Sequence, residues 1–431
     1  MNDADTTDTI FALASGGVPS GVAVVRLSGR HAFDAARELC DDLPEPGRFA
    51  LRRFRDLDGA TIDRGLVLTF AGPVSFTGED VVELHGHGSP AVLERLFEVL
   101  AAMPDLRMAR AGEFTWRAFR NGRLDLTEVE GLSDLLSAET EAQRRLAVSQ
   151  AGGTLRRLYE GWRETLVRAR AMIEAELDFS DEDDVPDALF ATIQDDLMGL
   201  AEAMRTHIAG AREGEIVREG LRVALLGPPN AGKSSLLNAL AGRDAAIVTD
   251  TPGTTRDLVT VELVRHGQRV IVTDTAGLRE SGDEVEREGM RRAMKAAAEA
   301  DLRLWLSPSD DPAPIPDGLD AVLITSKADL MAAGPSSVST VSAGGLEVLL
   351  AIIDAHLPDL PDDAGTATRA RHRDGVASAL AEVGAALSPA LEIELRAEHL
   401  RRASDALGRL TGRTDVEDLL DVIFSSFCVG K

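Results

Sequence analysis

Gly227-Pro-Pro-Asn-Ala-Gly-Lys-Ser234 is the stretch that decides the fold of the central part of this chain. It has the pattern Gly-x4-Gly-Lys-Ser, follows the apolar run Val223-Ala-Leu-Leu226 and leads into a helical run that begins near Leu236. Strand, loop and helix in this order form a loop whose backbone N–H groups surround a phosphate. We expect Lys233 to reach the outer phosphates and Ser234 to be a ligand of Mg²⁺. The sequence therefore predicts a nucleoside triphosphate site here.

Strand and helix patterns alternate around this loop, from residue 221 to about residue 357. This alternation is typical of βαβ units on a mainly parallel sheet. A Pro/Asp linker at residues 358–363 ends the region, and we predict a Ras-like P-loop domain over residues 219–363. Its strands are predicted at Leu221–Leu226, Leu258–Val264, Arg269–Thr273, Leu302–Leu306 and Ala321–Thr325.

Two further motifs complete the predicted phosphate and metal site. Asp274-Thr-Ala-Gly277 follows a strand, which would bring a carboxylate near the metal and the Gly277 N–H near a γ-phosphate. Thr254-Thr255 lies in a loop with Gly and Pro, where Thr255 would close on Mg²⁺ only when that phosphate is present.

The base is indicated by Ser326-Lys-Ala-Asp329, which follows the last strand at the place of a guanine-reading Asn-Lys-x-Asp. Because the Asp329 carboxylate can accept two hydrogen bonds from the guanine edge, a pattern that adenine lacks, GTP is favoured over ATP. Ser342-Ala343 fits the loop behind the base. The expected GTP contacts are Asn230, Ala231, Gly232, Lys233, Ser234, Ser235, Thr249, Asp250, Thr251, Pro252, Gly253, Thr254, Thr255, Asp274, Thr275, Ala276, Gly277, Ser326, Lys327, Asp329, Ser342 and Ala343.

Hydrolysis requires a group other than the usual glutamine, since Leu278 stands where Ras-type enzymes have Gln. Asn230 lies in the phosphate loop, where its side-chain oxygen could hold a monovalent cation beside the β- and γ-phosphates. A K⁺ ion there would supply the positive charge that an arginine finger gives other GTPases. The loop sequence is equally compatible with Asn230 as a turn residue that braces the loop.

Length, net charge and cysteine content restrict the number of domains and the class of protein. The chain has 431 residues, which at roughly 150 residues per domain predicts about three domains. Its formal net charge of −26 is opposite to that of a protein with a broad basic surface for nucleic acid. Two cysteines, Cys40 and Cys428, cannot build a disulfide framework or a multi-cysteine zinc site. With an acidic start and no apolar stretch near ~18 residues, we expect a cytoplasmic protein without membrane contact.

The regions on either side of the P-loop domain differ in their hydrophobic periodicity. Short β-rich runs predominate from Ile10 to about Arg123, with a helix at residues 91–103, and predict an α+β domain over residues 1–124. Helical periodicity then covers two stretches on either side of the P-loop domain. Each has an apolar stripe and the ends of a compact domain usually lie close together, so we expect residues 125–218 and 364–431 to form one helical domain. The acidic cluster at residues 178–184 is interpreted as a solvated helix end rather than a metal site.

Motifs outside the GTP site indicate the family. Together with the GTP-site motifs, and over essentially the whole length, they resemble the MnmE family of tRNA uridine-5-carboxymethylaminomethyl modification GTPases. The GTP-site motifs alone would indicate only a GTPase. The additional motifs are Gly21-Val-Ala-Val-Val-Arg26, Ser75-Phe-Thr-Gly-Glu-Asp80, His85-Gly-His-Gly88, Gly112-Glu-Phe-Thr115, Arg117-Ala-Phe119, Asn121-Gly-Arg-Leu-Asp-Leu126 and Phe427-Cys-Val-Gly-Lys431.

The resemblance implies a homodimer whose N-terminal domain binds 5-formyl- or 5,10-methylene-tetrahydrofolate. It implies an inserted GTPase domain whose two copies meet across the dimer when GTP and K⁺ are bound. It also implies a partner, the FAD- and NADH-dependent protein MnmG, in a heterotetramer, with FAD only on the partner. Together they would add an aminomethyl or carboxymethylaminomethyl group to C5 of the wobble uridine of certain tRNAs, while GTP is hydrolysed to GDP and phosphate.

Carried over by motif, the resemblance places folate contacts at Arg26, Glu83, Arg123 and Lys431. A carboxylate such as Glu83 can bind a pterin bidentately, and arginines can pair with the glutamate tail of a folate. From the residues alone, Glu83 could equally be an outward strand residue and Arg123 a surface charge. We interpret His85 and His87 as part of a turn beside the folate pocket rather than as metal ligands.

The resemblance also assigns metal and catalytic roles in the GTPase domain and the tail. It makes Glu286 the carboxylate that positions water, although Asp283-Glu-Val-Glu286 by itself is only an acidic helix start. It gives Cys428 an essential role in modification, although a free cysteine is more often a small buried hydrophobe. The metal ligands that it implies are Ser234 and Thr255 for Mg²⁺, and Asn230, Thr249, Thr251 and Thr254 for K⁺.

The sequence departs from the family pattern in the base-reading motif, where Ser326 replaces Asn. We expect the shorter hydroxyl not to brace the phosphate loop, a loss of about one hydrogen bond or on the order of 1 kcal/mol in guanine affinity. Arg123 stands where the family often has Lys, which keeps the charge and changes its geometry.

Two other interpretations share the GTPase motifs. One is a ribosome-associated assembly GTPase that modifies nothing, although such proteins usually carry a basic RNA-binding module. The other is a folate-dependent one-carbon enzyme with a regulatory GTPase attached.

Overall fold

The computed structural model describes residues 8–40, 42–178, 189–242, 246–247, 259–274, 295, 297–330, 336–342, 344–359 and 365–414, with 420, 423–424, 427 and 429–430. They form two compact units. The first comprises Met1–Ser133, Arg156–Glu164 and Ser404–Lys431, and the second comprises Asp134–Leu155 and Thr165–Ala403. The predicted division into three domains stays a prediction.

The described helices are α1 (Ala32–Cys40), α2 (Pro90–Ala101), α3 (Glu113–Arg120), α4 (Leu126–Ser137), α5 (Glu141–Ala151), α6 (Thr154–Asp178), α7 (Leu189–Ala209), α8 (Ala211–Glu219), α9 (Lys233–Ala241), α10 (Glu347–Asp354), α11 (Ala370–Ala386) and α12 (Ile393–Thr411). Within the described part of the chain, none is long and apolar enough to cross a membrane.

The first unit contains a sheet of six strands, β1 (Thr9–Leu13), β2 (Ser20–Ser28), β3 (Phe49–Arg55), β4 (Thr61–Phe70), β5 (Val81–Gly88) and β6 (Leu106–Met108). Their order is β3-β4-β5-β2-β1-β6, and only the pair β1 and β6 is parallel. Helices α1 and α2 cover one face of the sheet, where Leu39 and Leu96 pack into one core with Val25, Val82 and Leu84.

The other face, which we call the open face, carries three rows of side chains that are directly opposed across the strands. Alternate strand residues point to opposite faces, so these rows lie opposite the buried core positions. The rows are Phe49, Leu68, Glu83, Arg26 and Ala12, then Leu51, Leu66, His85 and Val24, then Arg53 and Arg64. An apolar region on β3 and β4 therefore adjoins the charged residues predicted to bind folate.

The second unit contains β7 (Leu221–Leu226), β8 (Ala246–Ile247), β9 (Val259–Arg265), β10 (Gln268–Asp274), β11 (Leu302–Pro308) and β12 (Val322–Ser326). Their order is β12-β11-β7-β10-β9-β8, with the first four parallel and the last two antiparallel to their neighbours. Leu236 and Leu240 of α9 and Ile353 of α10 pack into its core. The five predicted strands are confirmed, each within two residues at either end.

The chain enters and leaves the α/β part of this unit beside one carboxylate. Asp134 Oδ1 accepts hydrogen bonds from Arg218 Nε at 3.2 Å, just before β7, and from Arg369 Nη2 at 2.7 Å, just before α11. A second link is the hydrogen bond from Gln150 Nε2 of α5 to Thr368 Oγ1 at 3.1 Å. The two crossings therefore lie beside one carboxylate of this unit.

In the first unit, the predicted β-rich runs fall within β2, β4 and β5, and the predicted helix at residues 91–103 corresponds to α2. The expectation that His85 and His87 form a turn is wrong, because both lie in β5. Strands β1, β3 and β6 and helices α1 and α3 were not predicted. The end of α6 at Asp178 agrees with the predicted helix end, and residues 179–188 lie outside the described part.

Asp125 begins helix α4 in a mostly buried position. Its Oδ1 accepts hydrogen bonds from Glu128 N and Thr127 Oγ1, both at 2.8 Å. The residue is only 8% exposed, and its Oδ2 has no hydrogen-bond partner within the described part of the chain. Burial raises the pKa of Asp125 to about 6. The folded state therefore binds a proton more tightly than the unfolded state does.

We predict that Asp125→Asn removes a pH dependence of stability and keeps the helix cap. Because the folded pKa of about 6 lies above the ordinary value of 3.8, the wild type loses stability as pH rises through this window. In urea titrations, the wild type should lose about 2 kcal/mol more free energy of unfolding between pH 4 and pH 7 than the variant does. An equal loss in the two proteins would show that Asp125 does not titrate in this way.

Candidate functional site

The predicted phosphate loop joins β7 to α9, as its sequence indicates. Gly227 and Gly232 have φ of +139° and +91°, and a side chain at Gly227 would meet the Leu306 carbonyl, so glycine is required there. Loop and helix residues line a cleft of about 830 Å³, together with Ser326, Lys327 and Asp329. Such a volume is typical of a nucleotide-sized ligand site.

Lys233 is held inside this loop. Its Nζ donates hydrogen bonds to the carbonyls of Gly227 and Pro228, each at 2.8 Å, and the residue is 5% exposed. Burial lowers the pKa of the Lys233 ammonium, while the charge of nearby Asp274 opposes that shift. A phosphate in the cleft would offer this buried cation a stronger acceptor than a carbonyl, because charge-assisted hydrogen bonds are the stronger ones.

Ser234 and Asp274 meet beside the loop, although 40 residues separate them in sequence. Ser234 Oγ donates to Asp274 Oδ2 at 2.6 Å, and Asp274 is 1% exposed at the end of β10. A hydroxyl and a carboxylate next to a phosphate-binding loop are oxygen donors of the kind that Mg²⁺ prefers. These two residues therefore fit the metal position predicted from the sequence.

The base-reading motif also reaches the phosphate loop. Ser326 Oγ donates to the Ala231 carbonyl at 2.6 Å in a buried hydrogen bond. The expectation that this shorter side chain would not brace the loop is therefore wrong, because the end of β12 lies close enough for a hydroxyl. Lys327 has φ of +54°, and its Nζ is 3.1 Å from Asp310 Oδ2.

The position of Asp329 is set by a residue that the sequence did not point to. Ser339 Oγ donates to Asp329 Oδ1 at 2.7 Å and accepts from the backbone N–H groups of Val341 and Ser342 at 3.2 Å. The Ser342 backbone is thus linked to Asp329 through Ser339, and its contact with a base stays a prediction. The signal available in the sequence was only a serine after a buried valine, Val338.

The remaining predicted residues of the GTP site lie outside the described residues, apart from Asn230 in the loop and Ser235 in α9, which are exposed and line the cleft. Asn230 has a left-handed φ of +60°. Those outside are Thr249, Asp250, Thr251, Pro252, Gly253, Thr254, Thr255, Thr275, Ala276, Gly277, Glu286 and Ala343.

A second cluster lies on the open face of the first unit. Arg26 Nε and Nη2 donate to Glu83 Oε1 at 3.0 and 2.9 Å, and His85 Nε2 lies 3.1 Å from Glu83 Oε2. The Arg26 guanidinium also lies over the rings of Phe76 and Phe114, 5.5 and 5.7 Å from their centroids. Two of the predicted folate residues are therefore in direct contact, and both are partly accessible.

Arg123 belongs to the same region through the turn at residues 75–80, which also carries Phe76. A side chain at Gly78 would meet the Arg123 stem, and the adjacent Asn121 Nδ2 donates to the Thr77 carbonyl at 2.7 Å. Glu79 holds the turn in place, because it accepts hydrogen bonds from Ser28 Oγ at 2.8 Å and from the fully buried Arg117 at 3.0 Å. Apart from the motif that contains Arg117, no feature of the sequence pointed to this support.

The described residues of the C-terminal segment pack near the same strands. Phe424 and Phe427 are buried with Trp116, and their rings are 6.2 Å apart. Val429 forms a β-bridge with Ala111, and Gly430, at φ +101°, packs against the backbone of β1 at Leu13. The predicted site residues Cys428 and Lys431 lie outside the described residues.

The histidine pair of β5 bonds to carboxylates rather than to other ligands. His87 Nδ1 lies 2.8 Å from Asp63 Oδ1, and His85 bonds to Glu83 as described above. Among the residues described, no group of three or more His, Cys, Asp or Glu side chains could hold a metal ion.

Comparison with protein families places both units in one family. A family profile described as "MnmE helical domain" matches residues 126–428, and one described as "GTP-binding protein TrmE N-terminus" matches residues 9–123. Two relatives are named "tRNA modification GTPase MnmE". That of Rhizobium meliloti (strain 1021) is 51% identical over 441 residues, covering 99% of this chain and 100% of the relative. That of Brucella melitensis biotype 1 is 49% identical over 438 residues, covering 98% of each.

Solved structures give weaker similarities. The G domain of the Thermotoga maritima FeoB iron transporter is 24% identical, with a TM-score of 0.26, and covers 32% of this chain and 99% of that chain. A structure of Aquifex aeolicus Era bound to GDP and AlF4⁻ has 23% identity and the same TM-score, covering 37% of this chain and 65% of that one. At these TM-scores the structural similarities carry no weight.

We predict that Ser326→Ala weakens GTP binding about fivefold, because the Ala231 carbonyl loses a buried hydrogen bond on the order of 1 kcal/mol. Titration with a fluorescent GTP analogue measures the dissociation constant. Ser307→Ala, on the neighbouring strand β11, is the control, since Ser307 bonds the Ala313 N–H and not the loop. Equal affinities of all three proteins would mean that the Ser326 hydroxyl does not support the loop when nucleotide is bound.

Proposed function

The chain belongs to the MnmE family of tRNA modification GTPases, and we propose that it couples K⁺-stimulated GTP hydrolysis to a folate-dependent change at C5 of the wobble uridine. GTP hydrolysis and tRNA modification follow from family membership at 51% identity over 99% of the chain. This membership favours tRNA modification over the ribosome-assembly interpretation. The cation, the folate and the partner protein are the new parts of the proposal.

The GTPase proposal is supported by the groups at the carboxyl ends of the parallel strands. Lys233 binds the outer phosphates, Ser234 and Asp274 hold Mg²⁺, and Asp329 binds the guanine edge. Ser326 and Ser339 fix the loop and the aspartate that these contacts need. When bound, Mg²⁺ and K⁺ supply the positive charge that stabilises the charge developing on the phosphates. Transition-state stabilisation by preorganised charge is the main contribution expected in phosphoryl transfer.

Asn230 and Glu286 take over roles that other residues have in Ras-type GTPases. Asn230 would hold a K⁺ ion in place of the arginine finger, and Glu286 would orient water in place of the glutamine. Asn230 is exposed in the cleft, so its amide oxygen is free to face a cation beside the phosphates. We assign the other K⁺ contacts to Thr249, Thr251 and Thr254, the second Mg²⁺ contact to Thr255, and the orientation of the attacking water to Glu286. The remaining GTP contacts are proposed as in the sequence analysis.

The one-carbon site is proposed at Glu83 and Arg26, with Arg123 and Lys431 binding the glutamate tail of a tetrahydrofolate. A tetrahydrofolate supplies a one-carbon unit when bound. Glu83 is the acceptor for the pterin, and its present bonds to Arg26 and His85 keep the carboxylate oriented on the open face. The ring of Phe76, which is partly exposed beside the Arg26 guanidinium, offers an apolar surface to a flat heterocycle.

The homodimer is supported by exposed apolar side chains near that site. Phe49, Leu51 and Leu66 of the open face are 70%, 49% and 38% exposed. A patch of this kind marks an interaction surface in many proteins, and we propose that a second copy covers these three residues and leaves the Arg53 and Arg64 end of the hairpin accessible. The MnmG-type FAD protein would then join the dimer as a heterotetramer. We propose the domain division 1–124, 125–218 with 364–431, and 219–363, and a cytoplasmic location.

Cys428 is proposed as an essential thiol of the modification reaction. The described neighbours support this proposal, because Phe427 packs with Trp116, Val429 pairs with Ala111, and Gly430 lies against β1, two strands from the strand of Glu83. Lys233 and Glu286 are the proposed catalytic residues for hydrolysis, and they act in the other unit. The thiol is therefore expected to affect modification and not GTP turnover.

The contact of Arg26 with Glu83 is the observation that carries the folate proposal, and Glu83→Gln tests it. The amide cannot accept two hydrogen bonds from a pterin, so folate binding should fall at least about tenfold. In a strain that lacks the native gene, mass spectrometry of tRNA nucleosides should show loss of the modified wobble uridine. GTP turnover of the purified variant should stay near the wild-type value.

Glu94→Gln is the matched control for this test, since Glu94 is exposed on α2 and the charge change is the same. It should bind folate and support modification normally. Normal modification by Glu83→Gln would contradict the assignment of the folate site, whereas normal wobble nucleosides in the deletion strain itself would contradict the modification function.

We predict that GTP turnover depends on K⁺ through Asn230. Asn230→Gly keeps the left-handed backbone and removes the amide oxygen, so kcat in KCl should fall about 10- to 100-fold, to the wild-type rate in NaCl. Pro229→Ala, at the neighbouring exposed position, is the control. Equal wild-type turnover in the two salts would contradict a K⁺ site.

A further inference from the structure

Arg53 and Arg64 form the third row of the open face, where β3 and β4 pair. The register places them directly opposite each other. Both are exposed, and neither has a side-chain hydrogen bond or an acidic partner within the described part of the chain. Side chains opposed in this way on an antiparallel pair have Cβ atoms about 4.5–5.5 Å apart, and like charges at this distance destabilise the pair. In the isolated protein the two guanidinium groups therefore oppose folding.

Three acidic residues near this hairpin bond to other basic side chains, and Asp58, in the turn, has no ion pair with Arg53 or Arg64 among the described residues. Asp63 bonds to His87 at 2.8 Å, and Asp56 bonds to Arg95 at 2.9 Å. Asp42 bonds to Arg52 at 3.0 Å.

A third exposed arginine extends the charge along the edge of the sheet. Arg48 immediately precedes β3, which is the edge strand, and it too has no acidic partner among the described residues. The hairpin thus concentrates uncompensated positive charge in a chain whose net charge is −26. A polyanion approaching this chain meets repulsion over most of the surface, so a local basic surface would decide where it binds.

We propose that Arg53 and Arg64, together with Arg48, bind phosphates of the tRNA backbone. A guanidinium group offers a planar pair of N–H donors that matches two phosphate oxygens, and its charge is permanent. Contacts to phosphates position a nucleic acid without reading its sequence. The hairpin therefore orients the tRNA on the first unit, and other groups select the wobble base. This inference uses the tRNA partner of the family and is independent of the folate and K⁺ proposals.

The test measures tRNA binding by the full chain at several salt concentrations, using fluorescently labelled unmodified tRNA. The variant Arg53→Gln/Arg64→Gln should bind about tenfold more weakly at low salt. The slope of log K against log[salt] should become shallower by about 2, since each lost phosphate contact changes it by about 1. Arg53→Lys/Arg64→Lys keeps the charges and should retain the wild-type slope. GTP turnover should be unchanged in both variants.

Arg30→Gln/Arg168→Gln is the matched control, since both arginines are exposed and have no acidic partner among the described residues. It removes the same charge elsewhere and should leave the slope unchanged. The thermal midpoint of the Arg53→Gln/Arg64→Gln variant should equal or exceed that of the wild type, because a repulsion is removed. If the thermal midpoint of the glutamine variant is lower, the Arg53→Lys/Arg64→Lys variant provides the test. The proposal requires that this variant keep the wild-type slope of log K against log[salt].

Two results would overturn the proposal. If the glutamine variant binds tRNA with the affinity and slope of the control, the arginines serve only to keep the edge strand β3 from pairing with other strands. If the wild-type chain alone does not bind tRNA, the hairpin has no RNA to position.

Discussion

The parallel pairing of β7 with β10 and β11 is the constraint on which the nucleotide site depends. Parallel strands present their carboxyl ends at the same edge of a sheet, so the loops that follow β7, β10 and β12 meet there. Ser234 and Asp274 come into contact for this reason, and Ser326 reaches the Ala231 carbonyl for the same reason. None of these contacts is local in sequence. The chemistry of the site follows from the topology of the sheet.

Both proposed sites contain a charge pair or a charge–dipole contact that a ligand must exchange for its own bonds. Lys233 donates to two backbone carbonyls, and Glu83 accepts from Arg26 and lies within hydrogen-bond distance of His85. These internal bonds satisfy buried or half-buried polar groups and keep them oriented. Binding therefore releases bonds that already exist, and the net affinity is the difference between two sets of hydrogen bonds. Because these side chains are oriented before the ligand binds, less conformational entropy is lost on binding.

The sequence was sufficient for the elements whose pattern is strong and local. Strands β7, β9, β10, β11 and β12 were predicted within two residues because each is a short apolar run, whereas the two-residue strand β8 was missed. The phosphate loop was predicted because its glycines and lysine have fixed spacing. It failed where a contact depends on the distance between separate elements. Ser326 was expected to be too short, and Ser339 was not considered, because the spacing of β12 from the loops decides both contacts. The contact of Arg26 with Glu83 likewise depends on the register of β2 and β5, which residue types alone do not define.

The two hydrogen bonds at Asp134 have a consequence for folding. Arg218 and Arg369 close a loop of about 150 residues on one carboxylate, and closing a flexible chain of that length costs about 4 kcal/mol in entropy. The two hydrogen bonds that Asp134 accepts offset only a small part of this entropic cost. If the α/β part folds first, its own structure brings the two ends together and the loop is already short when the arginines reach Asp134. With that order of folding, the helices before Arg218 and after Arg369 would assemble only after the α/β part, and substitutions in the nucleotide-binding core would slow their assembly.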